Sequence, residues 1–213
     1  MEEIKFRNEI PVESQLNSPV VNFYTGRSVF ITGCTGFLGT AFQRLNEYNP
    51  NFRAKIKPIS GDISKKYIGV NENDLSLLRQ EISIVFHSAA DTSFDMSLND
   101  AVNINTKATE ELLKICKDMH QLKAFVYVST AYSNCNRSVI DEKVYRCDVP
   151  LETQYEVLEY CKSERLTQYL LDGRPNAYSY SKALSEELIQ NYSNAVPSII
   201  IRPSISMPSH SVY

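Results

Sequence analysis

Tyr178 and Lys182 stand four residues apart in the run Ala-Tyr-Ser-Tyr-Ser-Lys, a spacing that places a phenol and an ammonium on one face of a helix. A phenol titrates near 10, and bringing it to neutrality takes about three units, or ~4 kcal/mol. An ammonium about 4 Å away, at an effective dielectric near 20, supplies about that much. The pair can therefore make Tyr178 a general acid, with Lys182 tuning it and free to hold a ribose. Tyr-x-x-x-Lys is common by chance, so its meaning depends on what else the chain offers.

Two other stretches carry compatible chemistry. Ser129, Thr130 and Tyr132 follow the apolar run Ala124 to Val128, and hydroxyls past the end of a buried strand lie where open α/β sheets bind ligands. Ser129 and Thr130 can equally cap the turn that follows. The third stretch is Val29 to Gly39, Val-Phe-Ile-Thr-Gly-Cys-Thr-Gly-Phe-Leu-Gly, which reads as strand, tight turn, helix start. Gly33 permits a backbone conformation closed to residues with a Cβ, Gly36 lets a phosphate approach the main chain, and Gly39 lets a helix pack on the strand. A pyrophosphate would then rest on free N–H groups at the helix start, beside Thr35, Phe37 and Leu38.

Positioning these groups requires alternating strands and helices. Ser28 to Thr32, Ile84 to His87, Ala124 to Val128 and Ser198 to Arg202 read as buried strands, and Ala54 to Asp62 as a further strand with Pro58 near an edge. Helices are expected after the glycine loop to about Tyr48, over Glu72 to Glu81, Leu98 to Met119, around Tyr155 to Leu171, and from Pro175-Asn176 onward. On the last, Tyr180, Leu184 and Leu188 face away from Tyr178 and should be buried. Ser88, Ala89 and Ala90 are small residues at a strand end, suited either to a flat cofactor or to plain helix packing. Residues 1–22 carry Pro11 and Pro19 without a sustained period and read as a flexible arm; residues 23–213 form the domain.

Composition narrows the partners. A net charge of -3 offers no general attraction to nucleic acid or acidic membranes. Five cysteines without a C-x-x-C pair fit a reducing compartment, and three scattered histidines without ligand spacing predict no metal site. No apolar run approaches the ~20 residues that span a bilayer, so the chain as written reads as cytoplasmic.

Thr32 to Gly39, Val128-Ser129-Thr130-Ala131-Tyr132, Tyr178 to Lys182 and Ile201-Arg202-Pro203-Ser204 together resemble the extended short-chain dehydrogenase/reductases. Within that superfamily, Gly61-Asp62-Ile63-Ser64, Val85 to Ala90 and Ala131 to Asn134 are similar to the insect-type alcohol-forming fatty acyl-CoA reductases. The resemblance implies a Rossmann-type doubly wound parallel sheet, NADPH as cofactor, and reduction of a long-chain fatty acyl-CoA to an aldehyde and then an alcohol. It assigns catalysis to Tyr178, Lys182 and Thr130 or Ser129. It also implies cofactor contacts at Gly33, Thr35, Gly36, Phe37, Leu38, Gly39, Asp62, Ile63, Ser88, Ala89, Ala90, Lys182 and Pro203, with Asn105 fixing the central helix.

The chain departs from the family's pattern in two places. Only 16 residues separate Gly39 from Ile56, too few for the second strand and its flanking helices, whose end carries the basic residue that selects NADP. Most of the substrate lobe and the C-terminal region through which the family associates with peroxisomal or endoplasmic reticulum membranes also have no counterpart, so a shortened form is expected. Two other readings stay open: a reductase of nucleotide sugars or sterols, and a non-catalytic fragment that pairs with full-length relatives.

Overall fold

The computed structural model describes residues 18–36, 51–160 and 163–204. Four strands, β1 (Ser28–Thr32), β2 (Ile82–His87), β3 (Ala124–Val128) and β4 (Ser198–Ile201), form one parallel sheet in the order β1-β2-β3-β4. Parallel pairing needs a crossover between consecutive strands, which explains why helical segments separate them. Between β2 and β3 run α3 (Leu98–Ala101), a π-helical turn (Val102–Lys107) and α4 (Ala108–Lys117); α2 (Glu72–Glu81) precedes β2, and α7 (Ala177–Asn191) precedes β4. The excursion after β3 holds α5 (Leu151–Tyr160) and α6 (Glu164–Leu171).

The register divides the sheet into two unlike faces. Phe30, Val85 and Phe125 share one face with Thr32, His87 and Tyr127, and the last four of the β2 and β3 residues among them are fully buried. On the other face Ile199 and Ile201 of β4 remain 53% and 42% exposed. The expected core helix over Leu98 to Met119 is present, and its apolar Ala108, Leu112 and Ile115 are buried. The stripe Tyr180, Leu184 and Leu188 of α7 is likewise buried, as its spacing predicts.

Two expectations are corrected. Ala54 to Asp62 does not form a strand: a 3₁₀ turn (Phe52–Lys55) leads into a segment without regular structure. A third strand needs the second as its ladder partner, and Pro58 withholds one donor; with no second strand among the described residues, nothing pairs with this segment, and β1 has β2 as its one described neighbour. The arm is also partly regular, because α1 (Pro19–Tyr24) starts with proline in its first turn, where a missing N–H costs nothing. Residues 1–17 and the predicted helix after the glycine loop lie outside the described residues.

Ahead of α2 the chain makes an unusual turn. Tyr67, Ile68 and Gly69 all take positive φ (51°, 50° and 66°), and the Glu111 carboxylate on α4 accepts the Tyr67 N–H at 2.7 Å. Left-handed backbone is costly for a β-branched residue, so burial of Ile68 in the core and this charged hydrogen bond must hold it. Asn71 then caps α2 by accepting the Asp74 N–H.

Candidate active site

At the end of β1, Gly33 has φ +78°, and a Cβ there would lie 2.7 Å from the Ala89 nitrogen. No other residue type fits this approach. The Gly36 N–H donates to the Gly33 carbonyl at 3.1 Å, closing a turn whose Cys34, Thr35 and Gly36 face outward. A tight turn with exposed backbone suits a pyrophosphate, so this cradle fits a dinucleotide. Phe37, Leu38 and Gly39, the rest of the predicted loop, lie outside the described residues. Ser88, Ala89 and Ala90 at the end of β2 are half-buried, with the Ser88 and Ala89 backbone directly against Gly33, and the Ala89 N–H donates to Thr32 Oγ1 at 3.2 Å.

Behind this junction His87 bridges Thr32 Oγ1 (2.8 Å to Nδ1) and Thr109 Oγ1 (3.0 Å to Nε2). The Thr109 hydroxyl already donates to the Asn105 carbonyl, so it accepts from His87 Nε2–H, and Nδ1 accepts from Thr32. Burial, and then the charge of Lys182, push the imidazole down to about 3, so it is neutral. The histidine is a structural strut between β1, β2 and α4.

Asn105, in the π-helical turn, accepts the Asp91 N–H and donates to the Asp91 carbonyl and to Ser181 Oγ. Ser181 in turn donates to the Tyr178 carbonyl. Asn105 is buried with these groups engaged, so it ties the loop after β2 to the start of α7. Such π-helical turns cluster at functional sites, because the widened turn redirects a side chain.

Asn176 caps α7 by accepting the Ser179 N–H, which sets the helix start just before Tyr178. Lys182, 2% exposed, donates to the Val128 carbonyl at 2.8 Å and lies 4.7 Å from the centre of the Tyr127 ring and 5.9 Å from that of Tyr178. The Tyr-x-x-x-Lys face is therefore docked on the end of β3, beside Ser129 and Thr130. The expected tuning is not what the electrostatics show. Burial raises the Tyr178 phenol, while burial lowers the Lys182 ammonium to about 8 against the opposing pull of Glu186. Desolvation acts on both groups and outweighs their mutual effect.

The two hydroxyls divide clearly. Ser129 Oγ donates to the buried Glu186 carboxylate at 2.5 Å, so its hydrogen is committed. Thr130 Oγ1 accepts the Tyr132 N–H at 3.2 Å and donates to no acceptor among the described residues. Glu186, which the sequence reading did not single out, also accepts from Ser133, Asn134 and both Nε and Nη2 of Arg202. It lies one turn past Lys182, and that i,i+4 spacing was the available signal.

Asp62 is exposed, and its carboxylate is lowered by hydrogen bonds from the Ser64 hydroxyl and N–H; those bonds and an ion pair to Lys65 stay within its own turn. Ile63 is half-buried beside it. The Pro203 carbonyl accepts the Ala131 N–H, holding the chain after β4 to the turn that carries Thr130.

A family model described as Male sterility protein, an NAD-binding domain, matches residues 40–212. The chain belongs to this family. The curated relatives of this male sterility family chain include fatty acyl-CoA reductase 2 of Mus musculus, 34% identical over 230 positions that take in 88% of this chain and 45% of the relative. Fatty acyl-CoA reductase wat of Drosophila melanogaster is 30% identical over 235 positions, covering 91% of this chain and 45% of the relative. The resemblance to fatty acyl-CoA reductases is borne out, and the chain spans a little under half the length of these relatives. Both matches run longer than the chain's own 213 residues, so each relative has stretches within the match that this chain lacks.

Among solved structures, the terminal R domain from the myxalamid PKS-NRPS pathway superposes with a TM-score of 0.59 at 21% identity, covering 84% of this chain and 48% of that one. RMD from Pseudomonas aeruginosa, complexed with NADPH, gives 0.51 at 18%, covering 83% and 52%. At these identities the likeness establishes the Rossmann-type fold. Among the described residues, no helix is long and apolar enough to cross a membrane.

Proposed function

We propose that this chain is the cofactor-binding and catalytic part of a fatty acyl-CoA reductase, which uses NADPH to reduce a long-chain acyl-CoA through an aldehyde to the alcohol. The observation that supports it best is the docking of the Tyr178–Lys182 face on the end of β3, where the Thr130 hydroxyl donates to no acceptor among the described residues. The reduced dinucleotide, when bound, supplies hydride. Tyr178 donates its proton to the oxygen of the substrate carbonyl, and Thr130 donates a hydrogen bond to the same oxygen as charge develops there. Lys182 would hold the ribose. Ser129 keeps the strand end in place through Glu186. In the first reduction the carbon–sulfur bond breaks and CoA leaves as a thiol; the aldehyde then takes hydride from a second reduced dinucleotide, with a second proton going to its oxygen.

Calorimetry with NADPH and NADH, followed by NADPH oxidation with palmitoyl-CoA, tests the reading. Tyr178→Phe should keep cofactor binding and lose about 10²–10⁴-fold in rate. Heat from neither cofactor refutes the proposal, and turnover of a nucleotide sugar or a sterol in place of acyl-CoA moves the chain to another extended reductase. The internal sequence that relatives carry beyond this chain favours one second reading, a fragment that binds dinucleotide without turnover. NADPH binding with no oxidation by any acyl-CoA would support it.

A further inference from the structure

Phe94 lies on the loop between β2 and α3. It is 67% exposed, yet its ring lies 6.2 Å from that of Tyr178, tilted by 51°. The loop that carries it is held at both roots. Asp91 is clamped to Asn105 by two hydrogen bonds, and its carboxylate also accepts the Ser93 N–H. On the far side Ser97 caps α3, and Met96 packs against the core. An aromatic side chain presented to solvent on a loop tied at both ends is preorganised for an apolar partner, because little ordering remains to be done on binding.

We propose that Phe94 is a specificity-determining contact for the alkyl chain of the acyl substrate. This rests on the reading of the site as an acyl-CoA reductase. A carbonyl in reach of the Tyr178 hydroxyl has two substituents, an alkyl chain and a pantetheine arm ending in phosphates. The loop decides between them by charge. Asp91 and Asp95 flank Phe94, the Asp91 carboxyl is held low by the hydroxyl and N–H of Ser93, and Asp100 follows at the start of α3. Carboxylates repel the anionic end of CoA and are indifferent to a neutral alkyl chain. The polar groups of Asp91 and Ser97 are also taken up within the loop, so amides of the pantetheine arm would find few partners there.

The chain contains no tryptophan, so Phe94→Trp introduces a single indole at this position. Its emission should shift to the blue on addition of palmitoyl-CoA and stay in place with free CoA. In parallel, Phe94→Ala should weaken palmitoyl-CoA at least about tenfold, the effect of exposing a buried aromatic contact, and leave NADPH affinity within about twofold. An unmoved emission maximum at saturating palmitoyl-CoA overturns the proposal. So does a Phe94→Ala variant that weakens NADPH as much as palmitoyl-CoA, which would place the ring against the cofactor. The functional reading is judged separately by energy transfer from the indole to NADPH and by NADPH oxidation in the unaltered chain, neither of which depends on the alkyl contact.

Discussion

Replacing Glu186 by alanine is expected to loosen the site from behind without touching any group proposed to meet substrate. Glu186 is 1% exposed and takes Ser129 (2.5 Å), Ser133 (3.0 Å), Asn134 (3.4 Å) and two nitrogens of Arg202 (3.0 and 2.6 Å). These donors come from the end of β3, the turn after it and the residue following β4, while the carboxylate comes from α7. The Arg202 side chain is 17% exposed, so removing its partner leaves a charge that water cannot fully reach. Breaking a buried pair in this way costs about 3–5 kcal/mol, most of it the penalty of the stranded guanidinium. With a urea slope of about 2 kcal/mol per molar, the midpoint should fall by about 1.5–2.5 M.

Glu186→Gln keeps an acceptor and loses the charge, and should fall between wild type and Glu186→Ala. In the double variant with Arg202→Ala no charge is stranded, and the two single losses should overlap by about 1–3 kcal/mol. Equilibrium urea unfolding followed by far-ultraviolet circular dichroism supplies all four corners of the cycle. A Glu186→Ala loss under about 1 kcal/mol, or strictly additive single losses, would show that the tie is absent in solution and that Ser129 is free to serve the reaction.

Two further perturbations probe other parts of the site. Gly33→Ala forces a Cβ to within 2.7 Å of the Ala89 nitrogen at φ +78°, so it should cost at least ~1–2 kcal/mol from the left-handed backbone alone and abolish the heat of NADPH binding; calorimetry indistinguishable from wild type would refute the cradle. His87 is held neutral with its pKa near 3 by burial and then by Lys182, against 6.5 when unfolded. The unfolded chain therefore binds more protons between those values, and the stability present above pH 6.5 is lost as pH falls. Between pH 7 and 5 this residue accounts for a loss of about 2 kcal/mol, which His87→Asn should remove from the slope of stability against pH measured by urea unfolding.

What the sequence made readable depended on how local the physics was. The strands β1 to β4 are short apolar runs, and their bounds match expectation within two residues, although β1 and β4 expose part of their length. Asn176 before Ala177 and Asn71 before Glu72 are cap residues whose effect reaches no further than the first turn, and both helices begin there. Ala54 to Asp62 failed because alternation describes a strand's two faces but supplies no neighbour to hydrogen-bond. The left-handed turn at Tyr67 and Ile68 has no local signature either, since it is held by Glu111, 44 residues away.

The candidate site divides along the same line. Tyr178 and Lys182 share a face because helical geometry alone dictates it, and the structure places that face on the end of β3. Their acidities do not follow from the spacing, because the charge on Lys182 is set by what surrounds it. A lysine donating to the Val128 carbonyl under a tyrosine ring, with Glu186 one turn away, is governed by desolvation first and by its carboxylate neighbour second. In the proposed reaction, preferring Thr130 to Ser129 likewise rests on the hydrogen bond that Ser129 makes to Glu186, 57 residues along the chain and outside any local pattern. The residue that organises this end of the sheet is therefore a buried carboxylate that makes no contact with substrate in the proposed reaction, and its influence reaches Lys182 through charge and Thr130 through the strand it fastens.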